Sequence, residues 1–271
     1  MLLETDSTTM QDEANRTIDS VERSIGIIQE LQAQAGASVS ELADAMDLSS
    51  GTVHTHLATL KQEGLVYQKD GKYHLSPSFI FIAEHVRNQN SLYSAGRAEV
   101  DELADTTGEK AHLVIEHNGL GITLYEVFGD QAAGKQFFRQ ARENPRRLLH
   151  YTSSGKAILA HLPEEEVDHI IEEYGLPRLT EETITDPEDL REELEQIRKD
   201  GIAFNREEQV KGVRAVSAPI FDRHGDIAGS VGVGGPASRF KGERFKKTIP
   251  EQVQDAANLI EVNLRTGDYV K

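Results

Sequence analysis

The sequence predicts an α+β protein built in two parts, and three observations carry that reading. Apolar residues recur at three- and four-residue steps as far as Leu60, the mark of short helices with one buried face. Two partly alternating runs then meet around Asp70 and Gly71, the signal of a hairpin. Beyond Leu92, strand-like and helix-like runs are interspersed with no βαβ repeat, which favours one mixed ligand-binding or dimerising domain over a doubly wound sheet. A length of 271 residues suits two such domains.

The elements follow in order. Residues 1–15 are polar and read as an arm. "RTIDSVERSIGIIQELQAQ" spaces Ile18, Val21, Ile25, Ile28 and Leu31 as the buried face of a first helix. After a break at Gly36, "SVSELADAMDLSS" offers Ser38 or Ser40 as N-cap and turns Leu42, Ala43 and Met46 inward. "LSSGTVHTHLATLKQEGLV" forms a third helix over Thr52 to Glu63, capped by Ser49 or Ser50. Val53, Leu57 and Leu60 make its apolar stripe, and Gly64 stops it. "LVYQKDGKYHLS" supplies the hairpin. Three helices and a hairpin within residues 16–77 describe a winged helix-turn-helix, whose third helix enters the major groove of DNA.

From Pro77 a helical stretch reads as a linker over residues 78–95, leaving 96–271 for the second domain. There "KAHLVIEHNGLGITLYEVFG" is a hairpin turning at Asn118 and Gly119. "RLLHYTSSGKAILAHLPEEEVDHIIEEYG" is a loop leading into helices, "SAPIFDRHGDIAGSVGVGG" is two strands around a turn near Gly225, and "PEQVQDAANLIEVNLRTG" is a final helix.

The third helix presents Thr52, Thr55, His56 and Thr59 on its polar side, each able to reach a base edge or a phosphate. Ser49 and Ser50 set first-turn amides against phosphate. Lys61, Lys69 and Lys72 are phosphate anchors, joined by Arg16 and Arg23 from the arm and first helix.

The chain nevertheless carries a net charge of -17, and up to Ala95 it holds 13 acidic residues against 6 basic ones. Such a dispersed excess reads as a surface suited to concentrated salt, a halophilic cytoplasm, where repulsion from DNA is screened within about 3 Å at 1 M. The first residues lack the basic start and apolar run of a signal peptide, and no run is long enough to span a bilayer. With no cysteine, disulfides and thiolate chemistry are excluded. His54 and His56 lack the i, i+4 spacing of a helical zinc site, so no metal is expected. "TSSGKAILA" lacks the full phosphate-loop pattern, because Ala157 stands where a hydroxyl would meet Mg²⁺. "GSVGVGGP" lacks the dinucleotide spacing. No nucleophile-elbow context is visible, and neither catalytic residues nor a cofactor are expected.

Taken together, "SVERSIGIIQEL", "SVSELADAMDLSSGTVHTHLATLKQEGLV", "YHLSP", "LADTTGEKAHL", "SSGKAILAHLP" and "LREELEQIRKDGIAFNREEQVKGVRAVSAPIFDRHGDIAGSVGVGGP" resemble, in order and spacing, the IclR-type family of transcriptional regulators from about Arg16 to Leu264. The resemblance implies a winged helix-turn-helix on operator DNA, a linker helix that aids dimerisation and a C-terminal GAF-like α/β domain binding a small effector. It implies a homodimer or a dimer of dimers bound to double-stranded DNA, with no membrane partner. Carried over position by position, the effector residues are Arg139, Arg147, Ser153, Ser154, Asn205, Val213, Ala215, Gly232 and Gly234. Against the family pattern, Asn205 replaces an acid, Ala215 a cysteine, and Gly232 and Gly234 small hydroxyl residues. These changes enlarge the site and favour a hydroxylated, sugar-derived carboxylate over a glyoxylate- or pyruvate-like one. Arg147 would pair with that carboxylate while Ser153 and Ser154 add donors. Two rival readings are a sensor or structural oligomer without DNA binding, and an enzyme acting on a small organic acid.

Overall fold

The computed structural model describes residues 17–132 and 148–267. The chain forms two compact units, Met1–Ile82 and Ala83–Lys271.

The first unit holds α1 (Asp19–Ala33), α2 (Val39–Met46), α3 (Ser50–Gln62) and the hairpin β1 (Val66–Lys69) and β2 (Lys72–Leu75). Ser38 caps α2 through a full capping box with Glu41, and Ser49 caps α3 by accepting from the Thr52 amide at 3.1 Å. Of the two candidate caps for α3, Ser49 is therefore the cap and Ser50 the first helical residue. Asp70 and Gly71 close the wing with φ of 52° and 80°, a turn in which both residues are left-handed. Leu42, Ala43, Val53, Leu57 and Leu60 meet Ile27, Leu31, Val66 and Tyr73 in one small core.

The first helix departs from the sequence reading. Ile27 and Leu31 are its buried residues, while Ile18, Val21 and Ile25 are 64%, 50% and 49% exposed. Of the expected stripe, Leu31 is buried and Ile28 packs against the core, and beside them α2 and α3 cover Ile27 in place of the stripe's first three residues.

Residues 78–95 are likewise divided. Helix α4 (Ser78–Gln89) has no buried residue and exposes Ile80, Phe81, Ile82 and Val86. The side chain of Asn90 then caps a new helix, α5 (Ser91–Thr107), which buries Leu92, Ala95, Val100, Leu103 and Ala104 in the second unit.

That unit is built on a five-stranded antiparallel sheet in the order β4-β3-β7-β6-β5, from β3 (Lys110–His117), β4 (Leu120–Phe128), β5 (Ala203–Arg206), β6 (Val213–Phe221) and β7 (Ile227–Pro236). One face packs α5 and the last helix α9 (Ile249–Thr266), which a π-helical turn at Arg244–Thr248 precedes. The other face receives α6 (Ser153–Leu159), backed by α8 (Pro187–Asp200) and α7 (Glu164–Tyr174). Helix α6 lies so close to the loop before it that a Cβ on Gly155 would come 2.1 Å from the Leu149 carbonyl oxygen. That close approach seats Ser153 and Ser154 against the sheet. No helix among the described residues is long and apolar enough to cross a membrane.

Candidate functional site

Helix α3 presents Ser50, Gly51, His54, Thr55, Ala58, Thr59 and Lys61 as an exposed face. Thr55 donates its hydroxyl proton to the Gly51 carbonyl at 2.9 Å, and Thr59 donates to the Thr55 carbonyl at 3.2 Å. Each hydroxyl then turns outward as an acceptor beside its methyl group, a pairing that suits the exocyclic amines of adenine and cytosine and the methyl of thymine. Thr52 is half-buried, 2.8 Å from the Ser49 hydroxyl. His54, left out of the residues expected to contact DNA, stands between the small Gly51 and Ala58, which allow close approach of another molecule.

Two of the expected contacts are already engaged within the protein. His56 lies at the edge of the Val53, Leu57 and Leu60 stripe, and its Nδ1 is 2.8 Å from the Ser24 hydroxyl of α1. Its place follows from the period of the helix: three residues after Val53 and four before Leu60, it turns toward the core. Lys72 donates to Glu41 at 3.0 Å, and this bond together with the Ser38 amide holds the Glu41 carboxyl down at about 2. Lys69 stands opposite Lys72 on the exposed wing, and Arg23 lies 3.7 Å from Asp19. Arg16, Arg139 and Arg147 lie outside the described residues.

In the second unit, residues of β3, β4, β5, β6 and β7, the start of α6 and the loop after β5 line a cavity of about 70 Å³. Ser153, Ser154, Asn205, Val213, Ala215 and Gly234 all line it, together with Lys110, His112, Thr123 and Gln209, which sequence reasoning passed over. Their signal was period two: Lys110, His112 and Val114 alternate along β3 and so share one face.

Gly232 corrects the expected wall. A Cβ there would meet the Ser217 hydroxyl at 2.1 Å, so the missing side chain admits Ser217 and adds no room for a ligand. The serines of α6 are also engaged. Ser153 and Ser154 lie 2.8 and 3.0 Å from the Ser217 hydroxyl, and Ser154 lies 2.9 Å from His112 Nε2. The Gly155 amide donates to Thr152. The first turn of α6 is therefore a wired part of the cavity floor.

The loop after β5 is equally fixed. Asn205 donates to the Tyr151 carbonyl at 2.7 Å and accepts from the amides of Glu207 and Glu208, a side-chain turn that holds Glu207 at a φ of 75°. Glu207 is kept below the ordinary carboxylate range by the Gly212 amide, with Arg214 adding to it. Lys156, fully buried, reaches Glu193 and Glu208 at 2.9 and 2.7 Å and so ties α6 to the same loop. The lysine of "SSGK" thus faces away from the cavity and acts as an internal strut. Among the described residues, no group of three or more metal-ligating side chains comes together.

A winged helix that exposes a polar third helix, in a chain that also carries a sheet domain with a small polar cavity, points to a DNA-binding protein with a second domain. The comparisons with known proteins give the family. Residues 85–262 match the model described as bacterial transcriptional regulator IclR C-terminal, and residues 22–67 match winged helix-turn-helix DNA-binding. The chain is 40% identical over 253 residues to the probable HTH-type transcriptional regulator ArcR of Halobacterium salinarum, covering 93% of this chain and 96% of that one. It is 30% identical to the HTH-type transcriptional regulator BhcR of Paracoccus denitrificans, covering 89% and 86%. The crystal structure of the Thermotoga maritima IclR superposes with a TM-score of 0.69 at 27% identity, covering 92% of this chain and 99% of that one. The chain belongs to the IclR family of transcriptional regulators and carries its winged DNA-binding domain.

Proposed function

We propose that this regulator binds a partly palindromic operator as a dimer or dimer of dimers and changes its occupancy when a small hydroxylated carboxylate enters the sheet-domain cavity. The observation that carries the reading is the cavity itself, small and lined by polar groups from three strands, one helix and one loop. Thr55, Thr59 and His54 read base edges, with Ser49, Ser50 and Thr52 at the start of the helix and Lys61 and Lys69 on phosphates. Pairing of two copies is supported by the exposed apolar residues of α1 and α4, since Phe81 at 75% exposure and Ile18 at 64% are costly to leave in water. The acidic excess supports operation in concentrated salt, with phosphate contacts made locally.

The test is operator binding by the full chain, in dilute buffer and in molar potassium chloride, with a panel of sugar acids, simple hydroxy acids and aromatic acids. At least one hydroxylated acid is expected to change operator occupancy. Thr55→Ala with Thr59→Ala should weaken operator binding more than binding to scrambled DNA, by about 1 to 3 kcal/mol for each base that is no longer read. Equal weakening on both DNAs in a folded protein would remove these threonines from base reading. Conversion of an acid to product would move the chain to the enzyme class.

A further inference from the structure

Three polar groups of the cavity and one beside it are strung in a line: His112 Nε2, Ser154 Oγ, Ser217 Oγ and Ser153 Oγ, joined by contacts of 2.9, 3.0 and 2.8 Å, with Ser217 outside the cavity lining. Ser153, Ser154 and Ser217 are each almost wholly buried. A hydroxyl has one proton to give and can accept two, so where each hydroxyl of this chain donates to the next, the chain runs in one direction. When His112 Nε2 carries a proton and donates to Ser154, Ser154 donates to Ser217 and Ser217 to Ser153. The Ser153 proton is then left to point into the cavity that Ser153 lines. When Nε2 accepts, the direction reverses and Ser153 presents only lone pairs.

Lys110 stands two residues from His112 on the same face of β3. Its side chain is about nine-tenths buried, it lines the cavity, and Glu126 fixes its ammonium at 2.9 Å. Glu126 itself is only 5% exposed and is not part of the cavity wall, so an entering ligand meets the ammonium before the carboxylate. Across the ladder Lys110 pairs with Gly234, where a side chain would find its nearest neighbours at 3.6 Å or more. The room in this site therefore lies beside the cation.

Resting on the reading that a carboxylate enters this cavity, we propose that its anionic end is held from the sheet by Lys110 and by the Ser153 hydroxyl, with His112 as the positioning residue that sets Ser153 to donate. Lys110 is then the specificity-determining residue for charge. Its three N–H donors allow it to hold Glu126 and a ligand oxygen together.

Sodium glycolate, the smallest hydroxylated carboxylate, and its uncharged amide glycolamide serve as probes, titrated calorimetrically into the full-length protein. Glycolate is expected to bind about tenfold or more tightly than glycolamide, a difference of at least 1.4 kcal/mol. Lys110→Met paired with Glu126→Gln removes both charges of this ion pair. It should lose the preference for glycolate, weakening glycolate by more than glycolamide. His112→Leu should shrink the glycolate-to-glycolamide ratio, and His112→Gln, which restores an N–H donor, should recover it. A merely structural histidine would not move that ratio selectively.

Equal affinity for the two probes, an undiminished preference in the Lys110 and Glu126 pair variant, or no saturable glycolate binding would each overturn the proposal. Operator binding separates this result from the regulatory reading. Glycolate bound through Lys110 without effect on DNA would overturn only the coupling, whereas an acid that still releases DNA from the Lys110 and Glu126 variant would overturn only the role of Lys110.

Discussion

Each unit of this regulator holds a lysine against a carboxylate, at nearly the same distance and to very different ends. Lys72 meets Glu41 at 3.0 Å on the wing, where both side chains are close to half exposed. Lys156 meets Glu193 and Glu208 at 2.9 and 2.7 Å with no exposure at all. Water screens the first pair, while the Lys156 ammonium and the Glu208 carboxylate are shielded from it, so the same chemistry is replaceable in one unit and structural in the other. The hydroxyl groups repeat the contrast. Thr55 and Thr59 bond their own helix and leave acceptors facing solvent, while Ser153, Ser154 and Ser217 bond one another across two elements. The exposed unit leaves its polar groups open to solvent, and the buried one fixes them against one another.

The largest way to break this comparison is Lys156→Ala. It strands the buried Glu208 carboxylate and should cost about 3 to 5 kcal/mol of stability, read from denaturant unfolding of the sheet unit. A loss under about 1 kcal/mol would mean that water reaches the strut and that the two lysines are alike after all.

Ser49→Ala is a smaller perturbation on the exposed side. Removing the cap of α3 should cost about 1 kcal/mol, with the loss confined to the winged unit. Operator affinity should fall in parallel while glycolate binding stays level, and equal loss in both units would refute the separation drawn between them.

Glu41 gives the finest test. Its folded carboxyl lies near 2 against an ordinary value of 4.5, so the stability it contributes is fully present above 4.5 and disappears as pH falls toward about 2. Wild type and Glu41→Gln should therefore differ near neutral pH and converge across that window in acid unfolding curves. A difference persisting below it would assign the effect to packing and remove the charge from the account.

Local chemistry made much of the molecule legible. Ser38 and Ser49 as caps, Asp70-Gly71 and Asn118-Gly119 as turns, and Val53, Leu57 and Leu60 as a stripe all depend on residues within a few positions of one another. The cavity was partly legible for the same reason that its resemblance was, since Ser153, Ser154, Asn205, Val213, Ala215 and Gly234 came from matched blocks. Lys110 and His112 were missed although they stand at alternate positions of a strand that the sequence did announce. Period two says that they share a face, but it does not say whether that face meets a core, a cavity or solvent.

The sequence by itself determined the order of elements, the turns that join them, two candidates for each cap and the two-part plan, because these depend on contacts a few residues long. Tertiary structure alone decided which stripe of α1 is covered, that Asn90 divides the linker, that His56 turns to Ser24 and Lys72 to Glu41, and that Gly232 admits a serine. It also decided that the lysine of "SSGK" faces inward to two carboxylates 37 and 52 residues further along the chain. A charge will take whichever opposite partner the packed backbone brings within reach, and no spacing along the chain records which one that is.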